Sequence, residues 1–269
     1  MVVGEESVNV GRIQIKSFRT QESAKQLNII FSPSNKLFIL NNIQLRGNTL
    51  RLLDKESVYF LRKPGRTIKY IMSQVCEDTE QIVTIGSSKG GFAALMYATL
   101  LSRIFPNIKV SVRTFSPQIS LWPISDNLPY PSYKKLIKDV EIDDALMHDL
   151  VRFGNPVQNI RKFRNLDVLV AYGNKNKVDT KEALLLRGIR NVSLMPLPIR
   201  THLSLLPFVV DVRDKDLVRA TISKFLQRDS NDIDAREIKM TENIESLVED
   251  FYNLSDGGFD FDAPWLGLR

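Results

Sequence analysis

From residue 27 to residue 228 short apolar runs alternate with stretches of helical spacing, and this alternation restricts the possible folds more than any other feature. LNIIFS (27–32), TLRLLD (49–54), QIVTIG (81–86), IKVSVRTFSP (108–117), DVLVAYG (167–173) and NVSLMPLP (191–198) read as strands. RTIKYIMSQVC (66–76), GGFAALMYATLLSRIF (90–105), DTKEALLLRG (179–188) and DKDLVRATISKFLQR (214–228) read as helices, with Asp214 placed to cap the last. Apolar strands separated by helices build an α/β fold with a largely parallel sheet. RIQIKSF (12–18) alternates like an edge strand. The rhythm breaks over 118–165, where Pro123, Pro129, Pro131 and Pro156 accompany the helical pattern DDALMHDLVRF. That segment is expected to form a small helical cap over the carboxyl ends of the strands, with Trp122 and Tyr130 as candidates to line a pocket.

The 269 residues suit one large α/β domain, expected over 1–228, followed by an acidic extension over 229–269. That extension holds 11 acidic and 3 basic residues; the remainder holds 34 basic and 20 acidic. A basic body points to an anionic partner, and the tail is expected to fold back onto it through TENIESLVEDFYNL (241–254) and the anchors Phe259, Phe261, Trp265 and Leu266. Nucleic acid is disfavoured, because no recognised module and no basic helix with interleaved aromatics is present. No apolar run approaches the roughly 20 residues of a membrane helix, and the N-terminus has no signal-peptide core, so a cytoplasmic protein is expected. The single cysteine, Cys76, excludes an internal disulfide and is expected to be buried in a helix over 67–77. With two histidines a His-rich metal site is disfavoured, and neither metal nor cofactor is expected.

The chemistry centres on TIGSSKGGFAALMYA (84–98), an apolar strand joined to an apolar helix by two serines, a lysine and three glycines. Gly86-Ser87-Ser88-Lys89-Gly90 matches G-x-S-x-G, in which glycines permit a sharp turn that lifts the central serine out as a nucleophile. The Lys89 backbone N–H is one candidate oxyanion donor. A second is expected from SPSN (32–35); Pro33 has no N–H, which leaves Ser34 or Asn35. Phosphate-loop readings fail on spacing, since Lys89 is followed by glycine and GSSKGG lacks the middle glycine of a dinucleotide fingerprint. The bland reading is a small-residue turn that only packs a helix on a sheet.

A serine nucleophile needs a base, and the base an orienting acid, in the chain order Ser, acid, His. His202 lies in a loop after a late strand and is favoured as base; His148 lies on a helix of the cap and reads as a surface residue. The acid is expected in GNKNKVD (173–179). Asp179 is preferred over Asn176, whose amide carries no charge, and over Asp167 at the wrong end of its strand. Asp179 also stands where it could cap the following helix.

The succession strand, GSSKGGFAALMYATLL, strand, FSPQ, cap, YGNKNKVD and His202 resembles bacterial α/β-hydrolase-fold proteins associated with surface glycans. The likeness is to the hydrolase-like domain of accessory Sec system proteins that acetylate adhesin glycans, and to related proteins of capsular polysaccharide clusters. It spans roughly residues 25–226 and includes LRLLDKESVYFLRKPG (50–65). The resemblance implies an α/β-hydrolase-like fold, a triad of Ser88, Asp179 and His202, and acyl-ester or acetyl-transfer chemistry on an acylated small molecule or glycan. The chain departs at Lys89, where methionine or glutamine is commoner, and in FSPSN, which lacks the usual glycine. The competing reading is a non-catalytic hydrolase fold that serves glycan biosynthesis or export by binding.

Overall fold

A computed structural model describes residues 2–20, 25–41, 43, 45–126, 128–226 and 243–256. Eight strands form one sheet: β1 (Val2–Val10), β2 (Ile13–Thr20), β3 (Gln26–Ser32), β4 (Asn48–Asp54), β5 (Gln81–Ser87), β6 (Lys109–Phe115), β7 (Leu166–Gly173) and β8 (Val192–Leu197). Their spatial order is β1-β2-β4-β3-β5-β6-β7-β8. β1 and β2 form an antiparallel hairpin, β2 runs antiparallel to β4, and every later pairing is parallel. The helices are α1 (Pro64–Met72), α2 (Lys89–Ile104), α3 (Pro131–Val140), α4 (Asp144–Phe153), α5 (Val157–Ile160), α6 (Lys177–Leu184), α7 (Lys215–Leu226) and α8 (Ile244–Asp256).

The parallel strands are buried on both faces, which is why they read as continuous apolar runs rather than alternating ones. Neighbours along a strand enter different cores: Ile29 and Ile82 join one, Ile30 and Val83 the other. The first core takes in α1, α2 and α6 with the helices of 131–160. The second is closed by the β3–β4 loop, the segment 203–212, α7 and α8. Asp214 caps α7 as expected, its carboxylate accepting from the Leu217 N–H at 2.9 Å.

Two local expectations are corrected. The segment 12–18 is not the edge of the sheet, because β1 pairs outside it across a hairpin turning at Gly11. Cys76 is exposed rather than buried in a helix. α1 ends at Met72, and the Cys76 N–H is taken by the Thr79 hydroxyl at 3.0 Å, inside a turn.

The tail helix α8 buries Leu247, Val248, Phe251 and Leu254 in the second core. Its acidic residues meet the basic body: Arg200 with Asp250 at 3.0 Å, Lys215 with Glu249 at 2.8 Å and Arg219 with Glu245 at 2.9 Å. Phe259, Phe261, Trp265 and Leu266 lie outside the described residues. Among the described residues, no helix is long and apolar enough to cross a membrane.

Candidate active site

β5 delivers its chain to a turn that only glycine can make. A Cβ on Gly86 would sit 2.1 Å from the Gly90 carbonyl oxygen, and a Cβ on Gly90 would sit 2.1 Å from the Phe31 carbonyl oxygen. With both absent, α2 starts directly against the ends of β3 and β5. Ser88 is the residue before the helix, at φ 53° and ψ −120°. A positive φ is costly for a non-glycine residue and marks a position held by its surroundings. Here the Ser88 N–H donates to the Phe115 carbonyl at 3.0 Å, and the Ser88 carbonyl accepts from the Phe92 N–H at 3.1 Å. The expectation of Ser88 at a sharp strand-to-helix turn therefore holds.

The next loop along the sheet reaches the same serine. Gln118, fully buried after β6, donates its side-chain amide to Ser88 Oγ at 3.0 Å. The Gln118 carbonyl oxygen in turn accepts from the Tyr59 hydroxyl, which also meets Ser132 Oγ at 2.9 Å. Tyr59 is presented by a turn organised around the buried Asp54. That carboxylate accepts from the N–H groups of Glu56 at 3.1 Å, Val58 at 2.8 Å and Phe60 at 2.9 Å. Burial raises the Asp54 pKa against these hydrogen bonds and the charge of Lys89. The Lys89 ammonium is itself buried and turned to Ser57 Oγ at 3.3 Å. Its charge is spent on this inner turn.

β7 and β8 supply the second half. Asn176 caps α6, its side-chain oxygen accepting from the N–H groups of Val178 and Asp179 at 3.0 and 3.2 Å. This settles the helix cap on Asn176 and leaves the Asp179 carboxylate for other work. It accepts from His202 Nδ1 at 2.6 Å, with both side chains largely withdrawn from solvent. A carboxylate oxygen opposite Nδ1 matches the tautomer that carries its proton on Nδ1. The Tyr130 hydroxyl donates to the same Asp179 oxygen at 3.0 Å and stands 3.1 Å from His202 Nδ1, its ring 4.8 Å from the imidazole. Asp179 is also in the first turn of α6, where the positive end of the helix dipole favours a negative charge.

One helix ties the two halves together. A turn after Asp179, the buried Glu182 accepts from the N–H groups of Ile119 at 2.6 Å and Ser120 at 3.0 Å. α6 thus holds the His202 imidazole through Asp179 and the Gln118 loop through Glu182. Burial raises the Glu182 carboxyl pKa, opposed by those two N–H groups. The loop after β8 is pinned in parallel, Ser204 Oγ bonding Ser116 Oγ at 2.8 Å and the Ala171 carbonyl at 3.2 Å.

Of the expected oxyanion residues, Ser34 and Asn35 sit in the loop after β3, and Lys89 follows the serine. The Ser34 hydroxyl is taken by the N–H groups of Lys36 and Leu37 at 3.1 and 3.2 Å. The loop is braced further along by the Arg51 guanidinium, which donates to the Leu40 and Ile43 carbonyls at 2.9 and 2.8 Å. His148 is exposed on α4, and Asp167 pairs with Arg113 at 3.2 Å. Trp122 packs on the first core; Tyr130, expected only to line a pocket, contacts both Asp179 and His202. Gln118, Tyr59 and Glu182 were not anticipated as site residues. The signal for Gln118 was its place directly after β6, at the strand end neighbouring the serine turn.

No protein-family model matches the sequence, and no curated protein matches it. Solved structures match by fold. Carboxyl esterase 2 from the mycorrhizal fungus Tuber melanosporum is similar at a TM-score of 0.50 and 11% identity, over 72% of this chain and 74% of its own. The capsule O-acetyltransferase of Neisseria meningitidis serogroup A is similar at a TM-score of 0.47 and 15% identity, over 73% of this chain and 86% of its own. The esterase domain of a Rhodothermus marinus protein gives a TM-score of 0.48 and 15% identity, over 72% and 88%. The sheet order, the crossovers and the flanking helices are those of the α/β-hydrolase fold.

Proposed function

We propose that this chain is a serine-dependent acyl-ester hydrolase or acyltransferase, with Ser88 as nucleophile, His202 as base and Asp179 as its acid. The observation that carries the reading is the 2.6 Å bond between His202 Nδ1 and Asp179, buried at the end of the sheet where Ser88 is held at a positive φ. Ser88 Oγ attacks the ester carbonyl carbon while His202 Nε2 takes its proton. The negative charge that develops on the carbonyl oxygen falls to the backbone N–H of Lys89, with Ser34 or Asn35 as second donor. The C–O bond breaks, the leaving alcohol takes the proton from His202, and an acyl-serine remains. Water or a sugar hydroxyl then gives its proton to His202 and attacks the acyl carbon; the bond from that carbon to Ser88 Oγ breaks, and His202 returns the proton to the serine oxygen. The sugar ester as substrate rests on the sequence resemblance to glycan-associated proteins. No cofactor enters this scheme.

A binding-only reading draws support from one observation: Ser88 is 6% exposed and its hydroxyl already accepts from Gln118. Labelling with a fluorophosphonate probe decides between them. Labelling of the wild type that is absent in Ser88→Ala and strongly slowed in His202→Ala is expected. A wild type that does not label, and that turns over no short-chain aryl ester, would sink the hydrolase reading.

A further inference from the structure

The reacting end of the sheet carries a second feature, well to one side of Ser88. A cavity of about 290 Å³ opens between the β1–β2 hairpin and the start of α1, lined by Val10, Gly11, Arg12, Arg62, Lys63 and Arg66. Four of these six residues are cationic and none is acidic. The acids stand behind them. Arg12 and Arg62 share Glu56, Arg62 also pairs with Asp143 at 2.6 Å, and the Lys63 backbone N–H donates to Asp149 at 2.9 Å. Arg62 is thereby held between two carboxylates, while Arg12, its side chain 70% exposed, meets Glu56 at 3.2 Å. The side chains of Lys63 and Arg66 are exposed and form no ion pair among the described residues. α1 adds to the positive field: its first turn holds no acidic residue, and Lys63, at its N-cap, makes no side-chain cap bond.

We propose that this cavity binds a phosphate monoester, the anionic end of the molecule whose acyl ester meets Ser88; the second half of that statement rests on the hydrolase reading above. Two uncommitted cations beside the guanidiniums of Arg12 and Arg62 match a group carrying close to two negative charges at neutral pH, as a phosphate monoester does. A carboxylate or sulfate ester carries only one. The position fits an extended substrate. Ile13, just past the hairpin turn, pairs with Asp54 at the carboxyl end of β4, so cavity and serine share one rim of the sheet. They are separated by the steps from β2 to β4, β3 and β5, or about 14 Å at the usual strand spacing of about 4.8 Å. The reacting ester and the phosphate would therefore lie on different units of the same molecule.

The test is calorimetric titration of the full chain with glucose 1-phosphate and phenyl phosphate, in the wild type, in Ser88→Ala and in the double variant Lys63→Gln with Arg66→Gln. Saturable binding of a monoester by the wild type and by Ser88→Ala is expected. Binding should weaken at least tenfold in the double variant, which should melt with the wild type because both side chains are exposed. Glucose should be silent, and glucose 6-sulfate at least tenfold weaker than the phosphate. Silence of both monoesters, equal binding of the sulfate, or unchanged affinity in the double variant each overturns the site. Binding of inorganic phosphate with both monoesters silent overturns it too, leaving an ion site only. Phosphate binding that persists while Ser88 fails to label would remove the hydrolase reading and leave the site standing.

Discussion

Gln118 points its side-chain amide at Ser88 Oγ from 3.0 Å, while its carbonyl oxygen is held by Tyr59. One side-chain amide therefore links the Ser88 hydroxyl to Tyr59 and, through it, to the turn around Asp54. Gln118→Ala should slow fluorophosphonate labelling about three- to tenfold, the worth of one buried hydrogen bond. Tyr59→Phe should act in the same direction and more weakly. Labelling at the wild-type rate in Gln118→Ala would show that the contact positions nothing.

Asn176 and Asp179 are separable by substitution. Asn176→Ala removes a helix cap and should cost about 1 kcal/mol in stability with little effect on turnover. Asp179→Asn should leave the melt nearly unchanged and cut turnover by about 10⁴, as the same change does in a serine protease triad. Tyr130→Phe removes one of two donors to the Asp179 oxygen and should cost a few-fold in kcat. Reversal of the first two effects would move the acid to another residue.

Glu182 predicts a pH dependence. Its folded pKa is raised by burial, so the folded state holds the proton more tightly than the unfolded chain. Its contribution to stability is greatest below the ordinary glutamate value and declines as pH rises through the folded pKa. Glu182→Gln keeps an oxygen for the Ile119 and Ser120 N–H groups and carries no charge to bury. Its melting temperature relative to wild type should rise between pH 4 and pH 7 (roughly the window above the usual glutamate value). A constant difference across that range would show that burial of the carboxylate is fully compensated.

The tail helix should be detectable as a stabilising element. Four apolar side chains enter the second core from α8, each worth about 1.5–3 kcal/mol gross. Truncation before residue 243 should lower the melting temperature by several degrees and expose a dye-binding face. Arg200 is held by Asp250 through its backbone N–H and its guanidinium, two residues before His202. Asp250→Ala should therefore slow labelling as well as lower the melt.

The serine turn was legible because everything that makes it is local: an apolar strand, two glycines four residues apart and a small-residue helix. His202 and Asp179 followed from chain order and from the scarcity of histidine. β1 was missed because GEESVNV places few apolar side chains on the core, and its pairing depends on backbone bonds and the Gly11 turn. Cys76 was misplaced because the apolar spacing of 66–76 runs past the point where the backbone leaves the helix at Ser73. Gln118, Tyr59 and Glu182 find their partners across 30 to 73 positions of chain, a relation no local spacing encodes.

The backbone of Ser88 carries a consequence for any attempt to improve this molecule. At φ 53° and ψ −120° a side chain is disfavoured, at a cost of about 1–3 kcal/mol. Alanine and glycine both delete the hydroxyl, so the comparison between them reports the backbone alone. Elsewhere on a helix border alanine would give the firmer protein. At residue 88 the ranking should invert, with Ser88→Gly melting above Ser88→Ala. A search guided by thermal stability alone would drift toward glycine there and discard the hydroxyl that meets Gln118.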